Sequence, residues 1–281
     1  MKKIIAIIIA SAIIILILFS YQSTKLSDNK LHVVVCDVGQ GDSIYIRTPG
    51  GVDILVDGGR DNKVLDCLAR HMPLYDREID LVFATHPDSD HITGLISVLK
   101  SYKVDSFNVS TLNNLNNTQT FDTMINEAKS ESVPIRVLTS GSRFKLGDGV
   151  ELDTLWPKPG FTSTETNDYS LVQLLKYKDF DLLLTGDIPY TILDSLAIPD
   201  EKSIEVFKIP HHGSKTGVDD TTFQEIKASF VAISDGKNNP YHHPNPSVLS
   251  LLKKYGVKYE RTDEVGDIDF VTDGEATQLE N

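Results

Sequence analysis

The chain has 281 residues, 40% of them hydrophobic and 24% charged, and a formal net charge of −13. That apolar content suits one large globular domain with a buried core and excludes disorder over most of the length. The acidic balance excludes the broad basic footprint of a typical nucleic-acid binder, although cations held in an acidic site can still present a positive face to phosphate.

Lys2 and Lys3 precede an Ile-rich apolar run from Ile4 to Phe19 that is unlike anything after it. Its length falls between a signal-peptide core of about 7–15 residues and a spanning helix of about 17–25. No small-x-small cleavage signal and no cysteine follow it, so an uncleaved single-pass anchor is expected in preference to a cleaved signal. The two lysines mark the cytoplasmic side. This reading divides the chain into a membrane segment (1–22), a polar linker (23–30) and one domain (31–281). That domain lies outside the cytoplasm, or is secreted if the segment is cleaved.

From Leu31 the pattern predicts strands at Leu31–Cys36, Ser43–Thr48 and Asp53–Val56, then a helix over Asn62–His71. A strand at Ile79–Ala84 leads through His86-Pro87-Asp88-Ser89-Asp90-His91 into a helix carrying Ile92, Leu95, Ile96 and Leu99 at helical spacing. The polar stretch with Asn113, Asn114, Asn116 and Asn117 reads as an exposed loop. A helix near Phe121–Lys129 and strands near Ile135–Leu138 and Val150–Leu155 follow. The second half repeats this grammar, with strands at Ser170–Lys176, Asp181–Thr185, Ile204–Ile209 and Phe230–Ser234, a helix near Phe223 and another over Pro246–Lys254. Strands near Lys258–Arg261 and Asp267–Val271 close the domain. Two similar α/β halves suggest a four-layer αβ/βα sandwich. Cys36 and Cys67 read as two buried free thiols, with a single bridge as the alternative.

His86, Asp88, Asp90 and His91 lie within six residues at the junction of a strand and a helix. Imidazole and carboxylate together are the ligands expected of zinc, manganese or iron. The rival is a helix N-cap, which needs one Asp and leaves both histidines without a role. Asp187 ends the apolar strand of Leu182-Leu183-Leu184-Thr185-Gly186-Asp187, at the sheet edge where α/β folds hold ligands, and its two oxygens suit a bridging role. Pro210-His211-His212-Gly213-Ser214 ends another strand. Adjacent histidines point apart, so at most one of them joins the ligands directly. His242 and His243, in a Pro-rich loop, are weaker candidates. Asp37–Asp42 lacks the following helix that a phosphate loop requires, and reads as a hairpin turn.

In this order, Asp37–Asp42 (D-V-G-Q-G-D), Val56–Gly59 (V-D-G-G), Thr85–His91, Asn167–Val172 (N-D-Y-S-L-V), Leu184–Asp187 (L-T-G-D) and Pro210–Ser214 resemble the metallo-β-lactamase superfamily. More narrowly they resemble the extracellular hydrolase domain of ComEC-type competence proteins, over about residues 31–275. The resemblance implies the four-layer fold and one or two divalent ions, zinc or manganese. One ion would lie near His86 and Asp88, a second near Asp90 and His91, with Asp187 between them and His211 as the remaining ligand. Asp88 stands where the superfamily has a second histidine, which makes the site richer in oxygen. The superfamily's middle histidine is absent too, and Asp168 is the candidate substitute. Asp57 is expected to support the ligand loop, and His212 and His243 to move protons or hold the leaving phosphate.

The expected function is therefore metal-dependent hydrolysis of a phosphodiester, with Asp90, His212 and His243 as the catalytic candidates and extracellular DNA as the favoured substrate. A hydrolase of a small-molecule or cell-wall ester, lactone or lactam is the alternative, and a non-catalytic binding module the third reading. The multi-helix channel of ComEC proteins is missing from this sequence.

Overall fold

The computed structural model describes residues 2–25, 28–115, 118–198 and 204–280. Strands β1 (Leu31–Val35), β2 (Ile44–Arg47), β3 (Asp53–Val56), β4 (Glu78–Ala84), β5 (Lys103–Val109) and β6 (Ile135–Val137) form one sheet with β14 (Ile268–Thr272) and β15 (Thr277–Glu280). Its order is β15-β14-β1-β2-β3-β4-β5-β6. A second sheet, β13-β12-β11-β10-β9-β8-β7, takes β7 (Arg143–Leu146), β8 (Val150–Trp156), β9 (Val172–Tyr177), β10 (Phe180–Leu184), β11 (Val206–Lys208), β12 (Phe230–Ile233) and β13 (Lys258–Arg261).

Period-two alternation assigns each strand residue to a layer. Val33, Val35, Ile44, Ile46, Ile54 and Val56 meet Leu175, Leu182 and Leu184 of the other sheet in a shared central core. Their alternates Val34, Tyr45 and Leu55 turn outward beneath helices α2 (Lys63–His71), α3 (Ser89–Ser101) and α4 (Gln119–Ser130). On the far side Leu174, Leu183 and Phe207 pack against α6 (Asp220–Ile226) and α7 (Pro246–Tyr255), with the short helices α5 (Tyr190–Leu193) and α8 (Thr262–Val265) nearby in sequence. The layers are thus helices, sheet, sheet, helices, the expected α/β sandwich. Three strands were not anticipated. β5 mixes exposed Lys103 and Asp105 with apolar residues and β15 is largely exposed, whereas β7 carries a usable alternation of exposed Arg143 and Lys145 with Phe144 and Leu146.

Two expectations change. Cys36 and Cys67 are not free thiols: they form a disulfide across a Cα–Cα distance of 5.9 Å, within the ordinary span for such a bridge. It ties the loop after β1 to α2. The N-terminal run forms helix α1 (Lys2–Lys25), on which Ile4, Ile7, Ile8 and Leu16 are more than half exposed. Among the described residues no helix is long and apolar enough to cross a membrane, so the fold does not establish the expected span. Asn116 and Asn117 lie outside the described residues.

Candidate metal centre

Strands β3 and β4 run parallel, as do β10, β11 and β12, so their carboxyl ends deliver loops to a common edge of the two sheets. Asp57 follows β3, His86 follows β4, Asp187 follows β10 and His212 follows β11. Helix α3 then brings Asp90 and His91 over the same point. Asp88 occupies its N-cap position with extended backbone and makes no side-chain cap hydrogen bond, so capping does not explain this carboxylate. Gly94 lets α3 lie directly on the Asp57 loop, because a Cβ at this position would sit 1.9 Å from the Gly58 carbonyl oxygen. Gly58 N–H donates to the His91 carbonyl at 2.7 Å, which fixes that approach.

The hydrogen bonds set the tautomer of each buried histidine. Asp57 accepts from the Thr85 amide (2.8 Å), the Thr85 hydroxyl (2.7 Å) and His91 Nδ1 (2.7 Å). A carboxylate only accepts, so His91 carries its proton on Nδ1 and exposes a lone pair on Nε2. The Thr85 hydroxyl donates its one hydrogen bond to Asp57, so at 3.0 Å from His86 it accepts from Nδ1, which leaves His86 Nε2 unprotonated as well. His212 Nδ1 donates to the Ser234 carbonyl at 3.0 Å, with the same result. Three lone pairs, on three different supports, are thereby presented to one place.

At that place His91 Nε2 lies 3.3 Å from Asp187 Oδ1, and His212 Nε2 lies 3.5 Å from Asp187 Oδ2 and 3.7 Å from Asp90 Oδ2. The Nε2 atoms of His86, His91 and His212, with Asp187 Oδ1, are buried and have no hydrogen-bond partner among the described residues. Orphaned buried polar atoms are costly. Here they converge within 4.8 Å in two overlapping groups, His86, His91 and Asp187 and then Asp90, His91 and His212, so the donor set fits a divalent cation.

A proton competes with a cation for these Nε2 lone pairs, and the electrostatics shows what draws either one in. Burial disfavours charge on His212, but Asp187, Asp42 and Asp90 outweigh it and raise the ring to about 10. Burial is likewise overcome at His91 by Asp187 and Asp57, which raise it well above its ordinary value. His86, disfavoured by burial and by neighbouring His91, falls to about 4. Despite burial, Asp187 stays well below the carboxylate range through His212 and His91, and Asp90 is lowered to about 2 through His212 and His91. The carboxylates create a potential negative enough to charge buried imidazoles, the same potential that attracts a cation.

Asp88 stands at the edge of the cluster, its Oδ2 3.7 Å from His86 Nε2 and its side chain 28% exposed. The two adjacent histidines are placed differently. His212 is buried within the donor groups, whereas His211, expected as the remaining ligand, is 29% exposed with Nε2 3.9 Å from Asp187 Oδ2 and lies outside them. Both residues sit on left-handed backbone, φ 52° and 55°, a strained conformation for non-glycine residues that clusters at functional sites. Asn167 Nδ2 donates to His211 Nδ1 at 3.4 Å, so the neutral ring carries its proton on Nε2, opposite to His212. Asp168, the candidate substitute for the missing histidine, stands outside the donor groups. Its carboxylate accepts from Ser163 Oγ at 2.7 Å, and its neighbour Asn167 is the residue that reaches the site. His243 lies outside the donor groups, its ring 5.6 Å from that of His211 and 6.4 Å from that of His212. Burial and the charges of His212 and His211 lower it to about 4.

Sequence reasoning missed Asp42 and Lys208. Fully buried Lys208 donates to Asp42 Oδ2 at 2.7 Å, and Asp42 Oδ1 lies 3.3 Å from His212 Nδ1. The hairpin reading of Asp37–Asp42 took the glycines as the point of that segment. No local signal pairs the Asp that ends it with a lysine 166 positions further along the chain.

The sequence matches the family model described as Metallo-beta-lactamase superfamily over residues 36–222. It is 27% identical over 257 residues to ComE operon protein 3 of Bacillus subtilis, covering 85% of this chain and 32% of that protein. It is 28% identical over 263 residues to Recombination protein 2 of Haemophilus influenzae, covering 91% and 31%. The chain thus spans about a third of the length of these curated relatives. In fold it is similar to zinc-bound PqqB from Methylobacterium extorquens, with a TM-score of 0.51 and 13% identity over 82% of this chain and 97% of that one.

Proposed function

The chain belongs to the metallo-β-lactamase superfamily, as a ComEC-type domain, and from that premise we propose that it is an extracytoplasmic, metal-dependent hydrolase of phosphodiester bonds, with DNA as a substrate. The observation that carries this reading is the convergence of the unpartnered His86, His91 and His212 Nε2 atoms on Asp187. Asp90, His91, Asp187 and His212 would hold one cation, and His86 and Asp88, sharing Asp187, a second and less completely enclosed one. When bound, zinc or manganese supplies Lewis acidity to a phosphoryl group and makes water acidic enough to ionise near neutral pH.

The protein's own groups supply orientation and hydrogen bonds. Asp57, Thr85 and Ser234 hold the three ligand histidines in one tautomer. Asp90, 24% exposed, presents its carboxylate toward the opening, where it orients water. Hydrolysis joins the water oxygen to phosphorus and breaks a P–O bond, and the departing oxygen needs a proton. His211 Nε2–H at the rim is placed to hydrogen-bond that oxygen, with Asn167 holding the ring from behind, while the proton itself comes from solvent water. Half-buried His243, kept neutral, is a further hydrogen-bonding group for the phosphate.

Extracytoplasmic placement is supported by the Cys36–Cys67 bridge, which persists in oxidising compartments. The net charge of −13 favours a second reading, a small ester, lactone or lactam substrate that needs no basic track. The full chain assayed with zinc or manganese on a DNA strand, a small phosphodiester and a lactone separates the two. The proposal expects the first two to be cut, and all cutting to stop in Asp187→Ala. Turnover confined to the lactone would reject it.

A further inference from the structure

A line of rings leaves the metal centre and ends in solvent. The His91 and His212 rings lie 5.4 Å apart at 34°, those of His212 and His243 6.4 Å apart at 29°, and those of His243 and Tyr241 5.8 Å apart at 24°. Tyr241, the outermost, is 58% exposed. An exposed aromatic ring is commonly loose, but this loop is fastened. Asn239 Oδ1 accepts from the His243 amide at 2.9 Å, and its Nδ2 donates to the His243 carbonyl at 2.8 Å. Asn239 Nδ2 also reaches Asp235 Oδ2 at 3.2 Å, and the Asn245 amide donates to the Gly213 carbonyl at 2.8 Å, so the loop is tied to the segment carrying His211 and His212. Tyr241 thus offers a flat face, already ordered, two ring-to-ring steps from a metal ligand.

We propose that Tyr241 is a stacking platform for a nucleobase of a single-stranded nucleic acid whose phosphate enters the metal centre. The proposal rests on the phosphodiesterase reading and adds the form of the substrate. A chain of net charge −13 cannot draw its affinity from a long row of phosphate contacts. Stacking is largely independent of backbone charge and tolerant of sequence, and it requires a base face that duplex pairing hides. A tyrosine at the rim supplies that contact at little conformational cost, because its partner ring and loop are already fixed.

The test compares labelled oligothymidylate with its abasic counterpart, both carrying hydrolysis-resistant phosphorothioate linkages, by fluorescence anisotropy on the full chain. The wild type should bind the base-bearing strand roughly tenfold more tightly, about the worth of one base stacked on an aromatic ring. Tyr241→Ala should abolish that preference and Tyr241→Trp should keep it. On ordinary oligothymidylate, Tyr241→Ala should raise KM by a similar factor and leave kcat unchanged. Equal binding of both strands by the wild type, or a preference that survives in Tyr241→Ala, would overturn the platform. A Tyr241-dependent preference in a protein that never cuts the ordinary strand would uphold the platform and reject the phosphodiesterase reading.

Discussion

Nδ1 of His91 lies 2.7 Å from Oδ2 of Asp57, and both side chains are withdrawn from solvent, at 0% and 1% exposure. A buried carboxylate in that place does more than neutralise a ring. It fixes which nitrogen keeps the proton and which faces the cation. Asp57→Asn removes an oxygen and puts an amide donor beside Thr85 and His91, so the ring loses its enforced tautomer. Metal affinity should fall about 10- to 100-fold, as for other partners of ligand histidines. Competition against a chromophoric chelator measures it, and an unchanged affinity would show that Asp57 does not orient the ligand.

Lys208 and Asp42 form a buried pair, 0% and 1% exposed. Burial opposes ionisation of Asp42, yet the Lys208 ammonium and His212 hold it below the usual carboxylate range. Lys208→Met strands that charge and should cost about 3–5 kcal/mol in urea unfolding. Adding Asp42→Asn to Lys208→Met should recover part of the loss. A single variant as stable as the parent would mean that the pair contributes nothing net.

Asp267 links Arg70, His71 and the Asp37 amide. Burial raises its pKa, but His71, the Asp37 amide and Arg70 outweigh this and lower it to about 2, from 3.8. A depressed folded value favours the native state fully above pH 3.8, and the benefit is lost as pH falls from there toward 2. The stability gap between wild type and Asp267→Asn should therefore close across that window. A gap of constant size from neutral pH to pH 2 would contradict the ion-pair account.

The Cys36–Cys67 bridge closes a loop with a sequence separation of 31. Loop-closure entropy predicts that Cys36→Ser with Cys67→Ser lowers unfolding stability by roughly 3–4 kcal/mol. The same loss should follow addition of reductant to the wild type. No difference between oxidised and reduced protein would remove the bridge from the account.

The parts legible in the sequence share one property: their residues are neighbours along the chain. His86, Asp88, Asp90 and His91 stand in one segment, and the alternation through Leu31–Val35 and Ile44–Arg47 declares its own inner and outer faces. What stayed hidden depends on register between distant segments. Lys208 meets Asp42 across 166 positions, and in Val206-Phe207-Lys208 it reads as an ordinary polar strand end. The bridge required β1 and α2 to be placed side by side. His211 and His212 are the same residue type and adjacent in sequence, and only their placement in the folded chain, on left-handed backbone at both, distinguishes the buried ring from the one at the rim.

That difference in placement makes the most direct test. Metal content per chain, measured by inductively coupled plasma mass spectrometry on the wild type, His211→Ala and His212→Ala, reports on the cluster without reference to any substrate. The wild type should hold at least one zinc or manganese ion, His211→Ala should keep it, and His212→Ala should lose it. A wild type free of metal after exposure to both ions, or His212→Ala retaining the full complement, would contradict the metal centre assigned to Asp90, His91, Asp187 and His212.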